Sequence, residues 1–170
     1  MKSLRQALVT VFAVIFLLSA ASCGNRQGSA AADSKNISVT GLLETIMQNT
    51  GENTLDAKAF LGDKLFDDNC KKLYDIEVSQ LSDGGILYAE NSGSADEVTV
   101  LRGKDISIDR LSEKLEQRVR RRIKDFTGYS PQEAEKLEKS SVFTCGDFAV
   151  LVISDNAEML VKQIREVIEN

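Results

Sequence analysis

Apolar residues recur at spacings of three and four through Ile108, Leu111, Leu115, Val119, Ile123 and Phe126. They share one face of a 3.6-residue period, which predicts a long helix over about Ser107 to Thr127. Gly128-Tyr129-Ser130-Pro131 ends it, and Ser130 to Glu133 has the pattern of a capping box with proline at the first helical position, opening a short helix to about Lys139.

Upstream, Leu42, Leu43, Ile46 and Met47 mark a first helix closed by Asn49-Thr50-Gly51. A second helical patch holds Leu55, Ala59, Phe60 and Leu61, and Asp63 is the N-cap of a short turn through Leu65, Phe66 and Cys70. From Leu73 the period changes to two: Tyr74, Ile76 and Val78 alternate with Asp75, Glu77 and Ser79, as in a half-buried strand. Asp83-Gly84-Gly85 reads as a turn, Ile86 to Ala89 as its partner strand, and Glu97 to Arg102 as a third strand, giving an antiparallel meander. Val142 to Cys145, the turn Gly146-Asp147 and Phe148 to Ser154 form a hairpin. Phe148 to Ile153 is apolar throughout, which predicts a central strand covered on both faces. A last helix, capped by Asp155 or Asn156, carries Met159, Leu160, Ile164, Val167 and Ile168.

The amino terminus has another logic. Lys2 and Arg5 precede the apolar run Ala7 to Leu18, then Ser19-Ala20-Ala21-Ser22 and Cys23. A basic start, about a dozen apolar residues and a small-residue zone predict a secretory signal over residues 1–22. The run is short for a membrane span of about 20 apolar residues. A cysteine straight after the small residues resembles a bacterial lipoprotein signal. There Cys23 would take a diacylglyceryl group, with palmitate-type chains, and become the first mature residue. That signal usually has leucine where Ala20 stands. The other reading is ordinary cleavage near Ala21 with Cys23 left as a thiol. Residues 23–36 then form a polar, flexible tether of about 20 Å, and residues 37–170 a single domain.

Charge and composition narrow the chemistry. Of 21 basic residues, removing Lys2 and Arg5 leaves 19 against 26 acidic ones. A net acidic domain is a poor match for nucleic acid, which needs a basic face, so no nucleic-acid partner is expected, and it needs an anchor to stay at an anionic membrane. The chain contains no histidine, which removes Ser-His-Asp and Cys-His catalysis and histidine-ligated zinc. No calcium-loop, Walker or dinucleotide motif is present, so no metal or cofactor is expected.

Three features remain open. In Arg118-Val119-Arg120-Arg121-Arg122, Arg120 and Arg121 point to solvent, while Arg118 and Arg122 lie four apart along one edge of the apolar stripe. That edge is either an ion-paired, solvated face or a binding edge. Cys70 and Cys145 are either idle thiols or a disulfide closing a loop of 76 residues, from 70 to 145 inclusive, worth about 4 kcal/mol. Asp67, Asp68, Asp75 and Glu77 form an acidic patch in which no pair stands out as catalytic.

Four pieces of the sequence resemble, in order and spacing, a family of small lipoproteins from Gram-positive anaerobes (clostridia and relatives) catalogued as a domain of unknown function. These are Leu73-Tyr74-Asp75-Ile76; Asp96 to Leu101 before Lys104-Asp105; Arg118, eight residues before Phe126 and eleven before Tyr129-Ser130-Pro131; and Gly146 to Ser154. That family often has glutamine where Arg122 stands and tyrosine where Phe148 stands. The resemblance implies fold and surface location and no activity.

These readings predict an α+β domain: a mostly antiparallel sheet of about five strands, with the long helix and the carboxy-terminal helix packed on it. The expected role is a non-enzymatic binding or accessory module on the extracytoplasmic face of the cell membrane. A lipid on Cys23 would hold it there, with an envelope protein or polymer as partner. The alternatives are a carboxylate-dependent envelope hydrolase and a purely structural lipoprotein.

Overall fold

Strands covered on both faces must be apolar on both, and the sheet is built around one that is. In the computed structural model, which describes residues 37–49 and 54–170, the six residues of β5 (Phe148–Ile153) are all buried. Around it stand β1 (Ala57–Phe60), β2 (Leu81–Tyr88), β3 (Glu97–Gly103) and β4 (Ser141–Cys145). The five strands form one sheet in the order β1-β2-β3-β5-β4, with every neighbouring pair antiparallel.

Two apolar layers follow from the pleat. Ala149, Leu151 and Ile153 of β5 face α3 (Ile108–Thr127), α2 (Lys64–Asn69) and α4 (Pro131–Glu138), meeting Leu111, Leu115, Phe66 and Leu137. Phe148, Val150 and Val152 face the other way, onto α1 (Val39–Asn49) and α5 (Ala157–Glu169), meeting Leu43, Ile46, Leu160 and Ile164. The fold is therefore α+β, with the long helix and the carboxy-terminal helix on opposite faces of the sheet. Ser107 begins α3 as expected: its Oγ accepts from the Arg110 amide at 3.3 Å. No described helix is long and apolar enough to cross a membrane. The expected signal and tether, residues 1–36, lie outside the described residues.

Several local expectations are corrected. Tyr74 to Val78 is not a strand. Cys70–Tyr74 is a π-helical turn that extends α2, Asp75 reverses the chain at φ 54°, and Val78–Gln80 is a single 3₁₀ turn. The alternation of buried Tyr74 and Ile76 comes from that reversal, not from a pleat. The helical patch at Leu55 to Leu61 contains β1 instead, paired with β2.

Asp83-Gly84-Gly85 lies inside β2. A Cβ on Gly84 would stand 2.6 Å from Phe66 Cζ, and one on Gly85 would stand 2.7 Å from Leu43 Cδ1. The two glycines thus let helices approach the strand closely from opposite faces. Asp83 Oδ2 accepts from the Val39 amide at 3.0 Å and so anchors the start of α1. The capping box also fails to close. Ser130 makes no side-chain cap, and Glu133 turns away to accept from the Ala95 amide at 2.6 Å. Asp63 and Asn156 stand at their N-cap positions without a side-chain cap bond.

Candidate functional site

On β3, Val98 and Val100 belong to the layer under α1 and α5, so Glu97 and Thr99 project toward α3. Both are buried, and a charge placed there must find partners. Tyr74, delivered by the π-helical turn, donates its hydroxyl to Glu97 Oε1 at 2.8 Å. That uses its one proton, so the contact with Thr99 Oγ1 at 2.8 Å has Thr99 as donor. From α3, Arg118 Nη2 donates to Glu97 Oε2 at 2.8 Å and Nε to the same oxygen at 3.3 Å. Burial disfavours the Arg118 charge, but the Glu97 carboxylate overcomes this and holds the guanidinium above its ordinary range. Burial, followed by the charge of Glu97, raises the Tyr74 phenol well above its ordinary value.

A second cluster adjoins the first. One turn along α3, Arg122 Nη2 donates to the Ser94 carbonyl at 3.0 Å, and its guanidinium lies 4.9 Å from the centre of the Phe126 ring. Burial lowers its pKa. Lys136 of α4 reaches Asp96, Glu133 and Asp155 at 3.1, 3.2 and 3.5 Å. Burial opposes its charge, yet the hydrogen bonds and charges of Asp96 and Glu133 more than compensate, so Lys136 is held above the ordinary lysine range. The Ser94–Glu97 segment is thus gripped from both helices. Asp96, Glu97, Glu133 and the exposed Asp155 face Arg118, Arg122 and Lys136, four carboxylates against three cations.

Chemically, this arrangement fastens groups more than it activates them. A lysine among three carboxylates stays protonated and cannot serve as base or nucleophile. Glu97 has its lone pairs occupied by Tyr74 and Arg118. A cleft of about 750 Å³ opens between α4 and the start of α5, lined by Glu133, Glu135, Lys136, Lys139, Asp155 and Glu158 among others. Among the described residues, no group of three or more histidine, cysteine, aspartate or glutamate side chains could hold a metal ion.

The residues singled out in the sequence are distributed as follows. Cys23 lies outside the described residues. Arg118 is turned inward onto Glu97, and Arg122 is half-buried against Phe126. Cys70 and Cys145 are free thiols in separate apolar layers on opposite faces of the sheet, and the fold does not bring them together. Burial first, then Asp67, pushes the Cys70 thiol up to about 12. Burial, then Glu169, pushes Cys145 up to about 11. Neither is a ready nucleophile. Sequence reasoning alone misses Glu97, Thr99 and Lys136. Glu97 and Thr99 alternate with valines, which reads as a solvated strand face; only coverage of both faces of the sheet makes them buried partners.

The sequence model of one protein family, a domain of unknown function (DUF4358), matches residues 61–154. That span contains Tyr74, Glu97, Arg118 and Lys136. No curated protein and no solved structure matches the chain.

Proposed function

The chain belongs to the family of the domain of unknown function DUF4358, and from that footing we propose that it is a lipid-anchored binding or accessory module on the extracytoplasmic face of a cell membrane. The observation that carries this reading is the order of parts in the sequence. Lys2 and Arg5, the apolar run Ala7 to Leu18, the small residues 19–22, Cys23 and a polar stretch to residue 36 precede the folded domain. Acyl chains on Cys23 supply the membrane affinity that an acidic domain lacks. The inward-turned charges of the domain support a binding role over a catalytic one, because the groups best placed for acid–base work already neutralise each other.

The carboxylate-lined cleft between α4 and α5 favours a hydrolase as the second reading. Lys136 counts against it, because it ties Glu133 and Asp155 together and holds both near its own charge. In-cell crosslinking of the full chain, with affinity recovery and mass spectrometry, tests the proposal against a Cys23→Ala control. Recovery of a specific envelope protein or polymer that depends on Cys23 is expected. Recovery of nothing above the control, together with hydrolysis of an envelope polymer by the purified chain, would replace the binding reading with the enzymatic one.

A further inference from the structure

The sheet has two outer strands, and they are finished differently. The edge at β1 is four residues long, carries Lys58 paired to Glu44 at 3.2 Å, and has its Phe60 amide engaged by Asp63 Oδ2 at 3.0 Å. Short length, a lysine and a blocked amide are the usual protections of an exposed edge. The edge at β4, Ser141-Val142-Phe143-Thr144-Cys145, has no charge and no proline.

Among the described residues, no strand pairs with the outer side of β4. The hairpin turn Gly146-Asp147 has φ +57° at the glycine, and Cys145 faces Phe148 across it. Hydrogen-bonded pairs then alternate back from the turn through Phe143–Val150 and Ser141–Val152. Val142 and Thr144 therefore direct their amide and carbonyl groups away from β5, along the free side of the sheet. A groove of about 650 Å³ runs beside this edge, between Phe143 and Thr144 on one wall and Asp109, Arg110, Glu113 and Glu116 of α3 on the other. Phe143 is half-buried, with Arg165 stacked 4.4 Å from its ring centre. The helical wall carries three carboxylates against one guanidinium. Its ion pairs, Arg110–Glu113 and Arg120–Glu116, are about half exposed and so cost little to exchange.

We propose that the free edge of β4 is a docking site for an extended, basic segment of a partner protein, which adds as a sixth, outer strand in the groove between β4 and α3. The proposal rests on the reading of the domain as a binding module and names the face it uses. Backbone pairing with Val142 and Thr144 supplies affinity. Lysine or arginine side chains on the α3 side meet Glu113 and Glu116, and apolar ones on the other side meet Phe143.

The test uses the full chain in detergent micelles and a fluorescein-labelled heptapeptide that alternates lysine and valine. Binding read by fluorescence anisotropy is expected to weaken by about tenfold or more, roughly 1.4 kcal/mol, when alternate peptide amides are N-methylated in one phase. The opposite phase should change it little, because only one side of the added strand faces β4. Replacing the lysines with glutamate should abolish binding. Thr144→Pro should do the same while leaving the circular dichroism spectrum unchanged, since that amide makes no ladder bond. Equal binding by both N-methylated phases, or no binding of the lysine peptide, would overturn the proposal, and neither result depends on a variant folding. A chain that sediments as a dimer and becomes monomeric on Thr144→Pro would assign the edge to a second copy and likewise overturn it. Cellular crosslinking that succeeds while the peptide fails would refute the edge alone; failure of crosslinking would refute the module reading itself.

Discussion

Glu97 brings a carboxylate beneath α3, and the two side chains bonded to it, Tyr74 and Arg118, decide whether it is tolerated there. Removing one partner of a buried pair leaves the other uncompensated, which costs more than the pair contributes. Arg118→Met is therefore expected to lower stability by about 3–5 kcal/mol, and Tyr74→Phe by about 1–3 kcal/mol, both read from urea unfolding. Losses under about 1 kcal/mol for Arg118→Met would mean that Glu97 is hydrated and the cluster is open to water. The buried acids make a second prediction. The folded-state values of Cys70 and Cys145 are raised from 9.0 to about 12 and about 11. Their contribution is fully present below pH 9.0 and is lost as pH rises through that window, because the unfolded chain releases protons that the folded chain keeps. Unfolding free energy should fall by about 3 kcal/mol at most between pH 8 and pH 10, and less in a Cys70→Ala, Cys145→Ala chain. An equal fall in both chains would place its origin elsewhere, in the lysines or Tyr74.

At the scale of elements, close approach explains the glycines. A Cβ on Gly103 would stand 2.1 Å from the Ile106 carbonyl oxygen, which is backbone and has little freedom to move; one on Gly84 would press on the Phe66 ring. Gly103→Ala should therefore destabilise more than Gly84→Ala, with both in the range of about 1–3 kcal/mol. A reversed order in thermal melting would show that the Phe66 contact is the stiffer one. The same residues show what could be read in advance. The three- and four-residue spacing of α3, the unbroken apolar run of β5 and the Gly146-Asp147 hairpin are local signals, and each element formed where its pattern lies. Gly84-Gly85 misled because a glycine pair required by packing looks identical in sequence to one required by a turn. Tyr74 and Ile76 misled because a left-handed residue, Asp75, can place two neighbours inward as a pleat does. The charge cluster was half legible: Arg118 stood at the edge of an apolar stripe, but its partner Glu97 lies 21 residues away, a pairing only the assembled layers reveal.

For the whole molecule, the domain and a lipid anchor on Cys23 would divide the work under the proposed reading. A sheet sheathed by helices on both faces keeps its polar network inward and leaves edges and helix backs for contact, while the proposed lipid on Cys23 would set where those surfaces are displayed. The claim that most depends on this division is that Cys23 carries lipid, and it can be settled by the intact mass of the chain recovered from the membranes of its native host. A chain beginning at Cys23, with the added mass of a diacylglyceryl group and lost from the membrane fraction on Cys23→Ala, is the expected result. A chain beginning at another residue with an unmodified Cys23 thiol, found in the soluble fraction, would contradict the anchored module at its root.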